Sequence, residues 1–502
     1  MRLSEVWRRR GLAVGSGVAL ALALPGPGLV PLLLLTPGLL RRALANTRGW
    51  ASFRVGWLAG TAQWLVAVPW VVIVLNRFGH LPLPVALTGW VVMAGILGLT
   101  WALAGWASSL VPHRQQLFIL PLALAAAEVV QGYPPWGFPW NPVAAAATSW
   151  PWLLAPLPVL GSAGLSLVLL GLGAGLDGLA AGGLRRRGAW LGASAVAGFA
   201  LATLLAAPSQ PAGEAVTVAV LQPNVPLEYR WDADNLARIE ENVWELSTLA
   251  AQAGAEWVVW PESAVPRLVE RDREHRTRIE AFSRRSGVWL TVGSIGLSPT
   301  GEAYFNSIFT ASPAGLLPHR YDKMHLVPFG EYIPVVGKVP LLRPLVREVG
   351  SFTPGRSSVP VPGPAGPTGL LVCYEVAFAP LAAAEVRAGA TVLATITNDG
   401  WYGNSFAPRQ HLALAILRAA ETRRFVVRAA NTGISAIIDA RGRVVERLDY
   451  GKRGLLLAQV RSMGGVPPAA WGGPGLRGLI IASCVVAIIG ARRRAGGRAR
   501  TG

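Results

Sequence analysis

Cysteine is nearly absent from this chain: among 502 residues there are two, Cys373 and Cys484, far apart and in segments of different character. That spacing leaves no disulfide framework and no cysteine metal cluster. Histidine is scarce as well, six residues with no HxH or HxxxH pair, so no metal site is expected. Acidic residues are the minority, 27 against 46 basic ones, for a net charge of +19. Such an excess suits nucleic acid only where it lines a groove. Here many of the charges stand at the ends of apolar segments, so no nucleic-acid partner is expected.

Apolar residues are abundant, at 52%, which is high for a wholly soluble protein. Up to residue 208, apolar segments alternate with short connections at roughly 11–24, 27–40, 55–76, 85–110, 115–131, 153–182 and 189–206, and several reach the length of about 20 residues that crosses a bilayer. The first two are shorter and are parted by Pro25-Gly26-Pro27-Gly28, as in a tilted pair or a re-entrant hairpin. A last segment lies at roughly 478–491, before a basic Arg/Gly tail that reads as unstructured.

Arginines orient this array. Arg8 to Arg10, Arg41, Arg42, Arg48, Arg54, Arg114, Arg185 to Arg187 and Arg492 to Arg494 all fall on one face by segment count, and the opposite short connections offer little beyond Arg77. The positive-inside rule makes the arginine-rich face cytoplasmic. The expected organisation is a polytopic α-helical membrane domain over 1–208, an extracytoplasmic domain over 209–475, and a membrane helix with a basic cytoplasmic tail over 476–502. The expected location is a membrane, with the large domain facing the extracytoplasmic side.

The region 209–475 has the pattern of one α/β domain. Thr217–Gln222, Glu256–Trp260, Val288–Val292, Leu370–Cys373, Val392–Ile396 and Phe425–Arg428 are short β-rich apolar runs, most of them near Gly, Pro or Asn. Between them, Asn235 to Ala250 carries Leu236, Ile239, Val243, Leu246 and Leu249 at helical spacing. Alternating strands and helices predict a layered α/β fold.

Three ionisable side chains stand where such folds hold chemistry. Glu262 follows the run Trp257–Trp260 and Pro261, just past a buried strand, where partial desolvation suits a carboxylate to general-base work. Cys373 closes an apolar run, and a thiol of ordinary pKa, about 8.5, is mostly protonated at neutral pH. An ammonium beside it favours the thiolate and steadies an oxyanion, two needs that Lys323 would meet. If the chain turns sharply after Cys373, the backbone N–H of Tyr374 becomes a second oxyanion donor. Each residue alone has a plain structural reading as core, cap or solvated charge.

Together, Pro261-Glu262, Tyr321-Asp322-Lys323-Met324-His325-Leu326 and Cys373-Tyr374-Glu375 resemble the Glu-Lys-Cys triad of the nitrilase superfamily in order and context. With the upstream and downstream apolar segments, the chain resembles the apolipoprotein N-acyltransferases, the bacterial family that adds the third acyl chain to lipoproteins. Gly137-Phe138-Pro139-Trp140-Asn141, Gln222-Pro223-Asn224-Val225-Pro226, the run Val327 to Pro334 and Thr397-Asn398-Asp399-Gly400-Trp401 fit as well. The resemblance implies an αββα sandwich for the large domain and no cofactor. It implies a phospholipid acyl donor and a diacylated apolipoprotein acceptor, with membrane lipid around the chain, and a place in the cytoplasmic (inner) membrane of a bacterium with the large domain facing the periplasm or the extracytoplasmic side. It also implies roles: Glu262 as base, Cys373 as nucleophile, Lys323 with the Tyr374 N–H at the oxyanion, Glu331 as a second carboxylate orienting Lys323, Glu375 as a further acidic position beside the nucleophile, and Trp231 with Tyr374 in substrate handling. Glu331 as a structural ion pair and Trp231 as packing are the plain alternatives.

Two other features stay open. Glu128 lies near the outer end of an apolar segment, where an ionisable group is either functional or locally paired. Trp136, Trp140, Trp150 and Trp152 form an interfacial belt or a lipid-entry rim. A membrane-tethered nitrilase-like amidase would use the same triad and pass the acyl group to water. A carrier with an outer binding module is disfavoured by the scarcity of ionisable residues in the apolar segments.

Overall fold

The computed structural model describes residues 3–133, 137–208, 210–229, 233–328, 330–332 and 352–498. They form two compact units, one of residues 1–72, 82–207 and 471–502, the other of 73–81 and 208–470.

The first unit is helical. Among its described helices, Leu83–Ser108, Leu157–Ala180, Arg185–Leu205 and Pro468–Gly490 are long and apolar enough to cross a membrane, and Trp50–Ala67 with Val71–Phe78 makes a fifth if that bent pair is one span. The stretch expected at 27–40 is no single straight helix. It is a 3-10 turn, Val30–Leu35, running into the short helix Thr36–Ala43, with Pro31 and Pro37 at their starts. The C-terminal helix continues to Arg498, so the basic tail is helical where an unstructured segment was expected. Small residues let neighbouring helices meet: a Cβ on Gly60 would lie 2.7 Å from the Trp101 Cβ and 2.9 Å from the Gly98 Cα.

The second unit holds twelve described strands: β1 (Pro211–Gln222), β2 (Trp257–Val259), β3 (Trp289–Leu297), β4 (Tyr304–Ser312), β5 (Gly315–Leu316), β6 (Tyr321–Asp322), β7 (Thr368–Val372), β8 (Val392–Thr397), β9 (Val426–Ala430), β10 (Ser435–Ile438), β11 (Val444–Leu448) and β12 (Gly454–Met463). One sheet runs β12-β1-β2-β3-β4-β5, with β6 paired to β4, and the other runs β11-β10-β9-β8-β7. At their centres β1-β2-β3 and β7-β8-β9 are parallel.

Alternation along the strands builds the layers. Val218, Val220, Trp257 and Val259 of the first sheet share one buried core with Leu370, Val372, Ala394, Ile396 and Val427 of the second. Ala219, Leu221, Val258 and Leu290 point the other way, onto Val243, Leu246 and Ala250 of helix Ala233–Gln252 and Ile279 of helix Arg273–Ser286. Helix Ala379–Arg387 packs on β7 and helix Ala407–Thr422 on β9 and β10. The order helix, sheet, sheet, helix is the αββα sandwich. All six apolar runs read as strands coincide with strands, and the expected helical stripe holds at Ile239, Val243 and Leu246, whereas Leu249 is exposed and Ala250 takes the inward position.

Candidate active site

The site lies where strands end. Glu262 stands three residues past β2, after the buried pair Trp260 and Pro261. That segment passes so close to β3 that a Cβ on Gly293 would lie 2.7 Å from the Pro261 carbonyl oxygen and 2.9 Å from the Glu262 Cα, so the neighbouring strand needs glycine there. Lys323 follows β6 directly and is 1% exposed. Cys373 follows β7, with φ at +53°, as the first residue of the 3-10 turn Cys373–Ala377. A left-handed conformation is costly for a residue with a Cβ and is typical of functional turns. It makes a sharp bend directly after the strand, as expected for the chain at Cys373.

Hydrogen bonds fix the charged groups. The Lys323 ammonium is 2.9 and 2.8 Å from the two oxygens of Glu331, and Val327 N–H donates to Glu331 Oε2 at 2.8 Å. Asn306 of β4 donates its side-chain amide to Glu262 Oε1 and to Glu331 Oε1, both at 2.7 Å. One amide thus ties the two carboxylates together. Burial pushes the Lys323 ammonium down, but Glu331, Glu262 and Cys373 together hold it above its ordinary value, so it is charged. Burial pushes the Cys373 thiol up, Glu262 adds to the rise, and Lys323 offsets only part of it. Lys323 does not by itself make a resting thiolate, contrary to the simplest expectation from an adjacent ammonium. The arrangement can instead hold a neutral thiol beside a base and release the proton as the sulfur attacks.

A second polar group lies behind the sulfur. The Thr397 hydroxyl, at the end of β8, is 3.2 Å from Cys373 Sγ and 3.0 Å from Asp399 Oδ1. Asp399 Oδ1 is also 2.8 Å from His411 Nδ1, and Asp399 Oδ2 accepts from Arg428 Nη2 at 2.7 Å. His411 Nε2 lies 3.1 Å from the Cys373 carbonyl oxygen. Burial would raise Asp399, but Arg428 and His411 hold it down at about 2. Gly433 leaves room for that carboxylate, since a Cβ there would meet Asp399 Oδ2 at 2.3 Å.

Of the residues singled out by sequence, Glu262, Lys323, Cys373 and Glu331 share this one environment. Glu375 is fully buried and accepts from Tyr321 O–H at 2.9 Å, Met324 N–H at 2.7 Å, His325 N–H at 3.1 Å and Val372 N–H at 2.8 Å. It therefore clamps the Lys323 segment to the Cys373 turn. The Tyr374 ring is buried and packs edge-on against Phe378 at 5.1 Å. Trp231 lies outside the described residues, as do Trp136, Phe329, Ile333 and Pro334.

Within the helical unit, Glu128 accepts from Val143 N–H and Ser166 O–H, both at 2.7 Å, and so caps the 3-10 turn Val143–Ser149. Trp140 is buried against Trp70 and Phe138, while Trp150 and Trp152 are exposed and stacked at 6.3 Å. Cys484 is buried in the last helix. Sequence reasoning missed Asn306, His411 and Arg428, and it named Thr397 and Asp399 only as part of a matching run, without a role. Neutral polar residues inside β-rich runs carry no local signal, and only the fold brings these together.

Comparison with known proteins identifies the family. The carbon-nitrogen hydrolase family matches residues 217–465, and the apolipoprotein N-acyltransferase N-terminal domain matches residues 16–175. An apolipoprotein N-acyltransferase of Geobacter metallireducens is 32% identical over 90% of this chain and 89% of its own length. One of Methylococcus capsulatus is 32% identical over 96% of each. A solved structure of Saccharomyces cerevisiae Nit3, of branch 10 of the nitrilase superfamily, aligns with 51% of this chain and 93% of its own at 18% identity, with a TM-score of 0.41.

Proposed function

The chain belongs to the apolipoprotein N-acyltransferase family, and we propose that it moves an acyl chain from a phospholipid to the N-terminal amine of the diacylglyceryl-cysteine of an apolipoprotein through a thioester on Cys373. Lipoprotein N-acylation is the activity of the family. The observation that carries the thioester route is the shared environment of Cys373, Glu262 and Lys323, with the cysteine in a left-handed turn at a strand end.

The steps follow from the groups in place. Glu262 takes the thiol proton as the sulfur attacks the ester carbonyl. The Lys323 ammonium and the Tyr374 N–H meet the developing oxyanion. Collapse expels the lysophospholipid alkoxide, which leaves with the proton from Glu262. The amine of the acceptor then attacks the thioester, Glu262 takes its proton, and the expelled thiolate recovers it. Glu331 and Asn306 hold Lys323 and Glu262 in register for both halves, and Glu375 joins the two segments.

Several helices of spanning length, the arginine count and the relatives' names support an integral protein of the inner membrane, with residues 208–470 on the extracytoplasmic side. Arg77 pairs with Glu228 at 2.5 Å and Phe78 packs edge-on against Trp401 at 5.0 Å. These contacts lie inside the second unit and support one side of the membrane for the connection at 73–81 and the catalytic domain.

The test is the mass of the intact protein after incubation with phospholipid alone. One acyl mass mapped to Cys373, and absent from Cys373→Ala, is expected. A diacylated lipopeptide is then added: its N-acylation without any acyl-Cys373 would overturn the route, and free fatty acid in place of acylated peptide would show the acyl group passing to water, as the membrane-tethered amidase reading requires.

A further inference from the structure

The steps above leave Thr397 and Asp399 without a task, although both stand directly behind the reacting sulfur. A hydroxyl carries one proton and a carboxylate oxygen only accepts, so Thr397 donates either to Asp399 Oδ1 at 3.0 Å or to Cys373 Sγ at 3.2 Å, one at a time. With a neutral thiol, every group is satisfied when the S–H donates to Thr397 Oγ1 and the Thr397 O–H donates to Asp399. With an anionic sulfur, the better bond is the charge-assisted one to sulfur. Asp399 can do without the Thr397 O–H because Arg428 Nη2 still donates to its other oxygen at 2.7 Å.

We propose that the Thr397 hydroxyl is a switchable hydrogen-bond donor that turns from Asp399 to the sulfur whenever Cys373 is a thiolate, as the nucleophile forms and again as the thiolate leaves the thioester. The inference rests on Cys373 being the nucleophile. Thr397 keeps its proton throughout, and the thiol proton goes to Glu262. The S–H turns from Thr397 Oγ1 toward Glu262 and gives up its proton there, and the Thr397 O–H turns to the freed sulfur. Asp399 is a positioning residue that holds the hydroxyl ready, and His411 stands between Asp399 Oδ1 at 2.8 Å and the Cys373 carbonyl oxygen at 3.1 Å.

The charged and titratable groups facing Cys373 are Glu262 beyond β2, Lys323 after β6 and Asp399 after β8, with His411 of helix Ala407–Thr422 at its carbonyl and Tyr402 close by. None of these changes in a Thr397 variant. The experiment is the rate of Cys373 alkylation by iodoacetamide against pH in the full-length, detergent-solubilised protein. Thr397→Val, which keeps the shape and loses the donor, should move the profile up by about 1 to 2 pH units, the span that a charge-assisted hydrogen bond sets. Thr397→Ser should restore the wild-type profile, and Thr397→Ala gives the same reading should valine disturb the packing. An unshifted profile in Thr397→Val or Thr397→Ala, or an equal shift in Thr397→Ser, overturns the switch. Acyl-Cys373 formation by the wild type is measured alongside, so a failure of the nucleophile shows there and a failure of the switch shows in the profile.

Discussion

A thiol that faces a carboxylate on one side and an ammonium on the other takes its ionisation from the contest between them. Burial and Glu262 push Cys373 up, and Lys323 pulls it down. The two neighbours therefore part on substitution. Glu262→Gln removes a charge that opposes the thiolate, so alkylation of Cys373 should move to lower pH. On the proposed route the same change removes the base, so acyl transfer should fall by roughly 10²- to 10⁴-fold. Lys323→Met removes the charge that favours the thiolate, so its alkylation profile should move to higher pH. Opposite shifts, with both variants slow in acyl transfer, are the expected outcome of the paired measurement. Shifts of one sign would mean that Glu262 and Lys323 do not both face the sulfur, and the triad would fall.

Among elements, the decisive ones are short. The turn Cys373–Ala377 and the segment after β6 are joined by Glu375, whose two oxygens accept four hydrogen bonds. A glutamine of the same shape has one accepting oxygen and one donating amide, so the amide must face at least one donor that it cannot satisfy. Glu375→Gln should therefore destabilise the protein by about 1–3 kcal/mol, the cost of a buried group left unpaired, and should lower acyl transfer with the nucleophile intact. Thermal melting in detergent reads the first effect and turnover the second. A variant with wild-type melting and turnover would make Glu375 a bystander. The same elements mark how far the sequence could be read. β2, β7, β8 and β9 were legible because strands buried on both faces appear as continuous apolar runs. β6 has two residues and β11 is mostly exposed, so neither leaves such a run. Cys373 stood out by rarity and Glu262 by its place after an apolar run. Asn306 and His411 reach the site only through strand pairing and helix packing over long sequence separations, which no local pattern encodes.

At the scale of the whole molecule, the arginines from which the orientation is expected also take part in packing. Arg41 is buried, donates to Asp177 Oδ2 at 2.6 Å and contacts His113 Nε2 at 2.8 Å, and Arg42 donates to Asp177 Oδ1 at 3.0 Å. Asp177 is near the end of helix Leu157–Ala180, just before Arg185 to Arg187, and His113 precedes Arg114. Three arginine-bearing connections, around residues 41–42, 113–114 and 177–187, therefore meet at one end of the helical unit. Segment counting from the sequence put the same connections on one face by an independent route. Reporter fusions after Arg187 and at the C-terminus should accordingly report cytoplasm, and a fusion after Thr300 should report the opposite side. Asp177→Asn should leave that topology unchanged, because the arginines remain. It should destabilise the folded protein by roughly 3–5 kcal/mol, the typical cost of breaking a buried ion pair. A cytoplasmic signal from the Thr300 fusion would reverse the proposed orientation and place residues 208–470 in the cytoplasm.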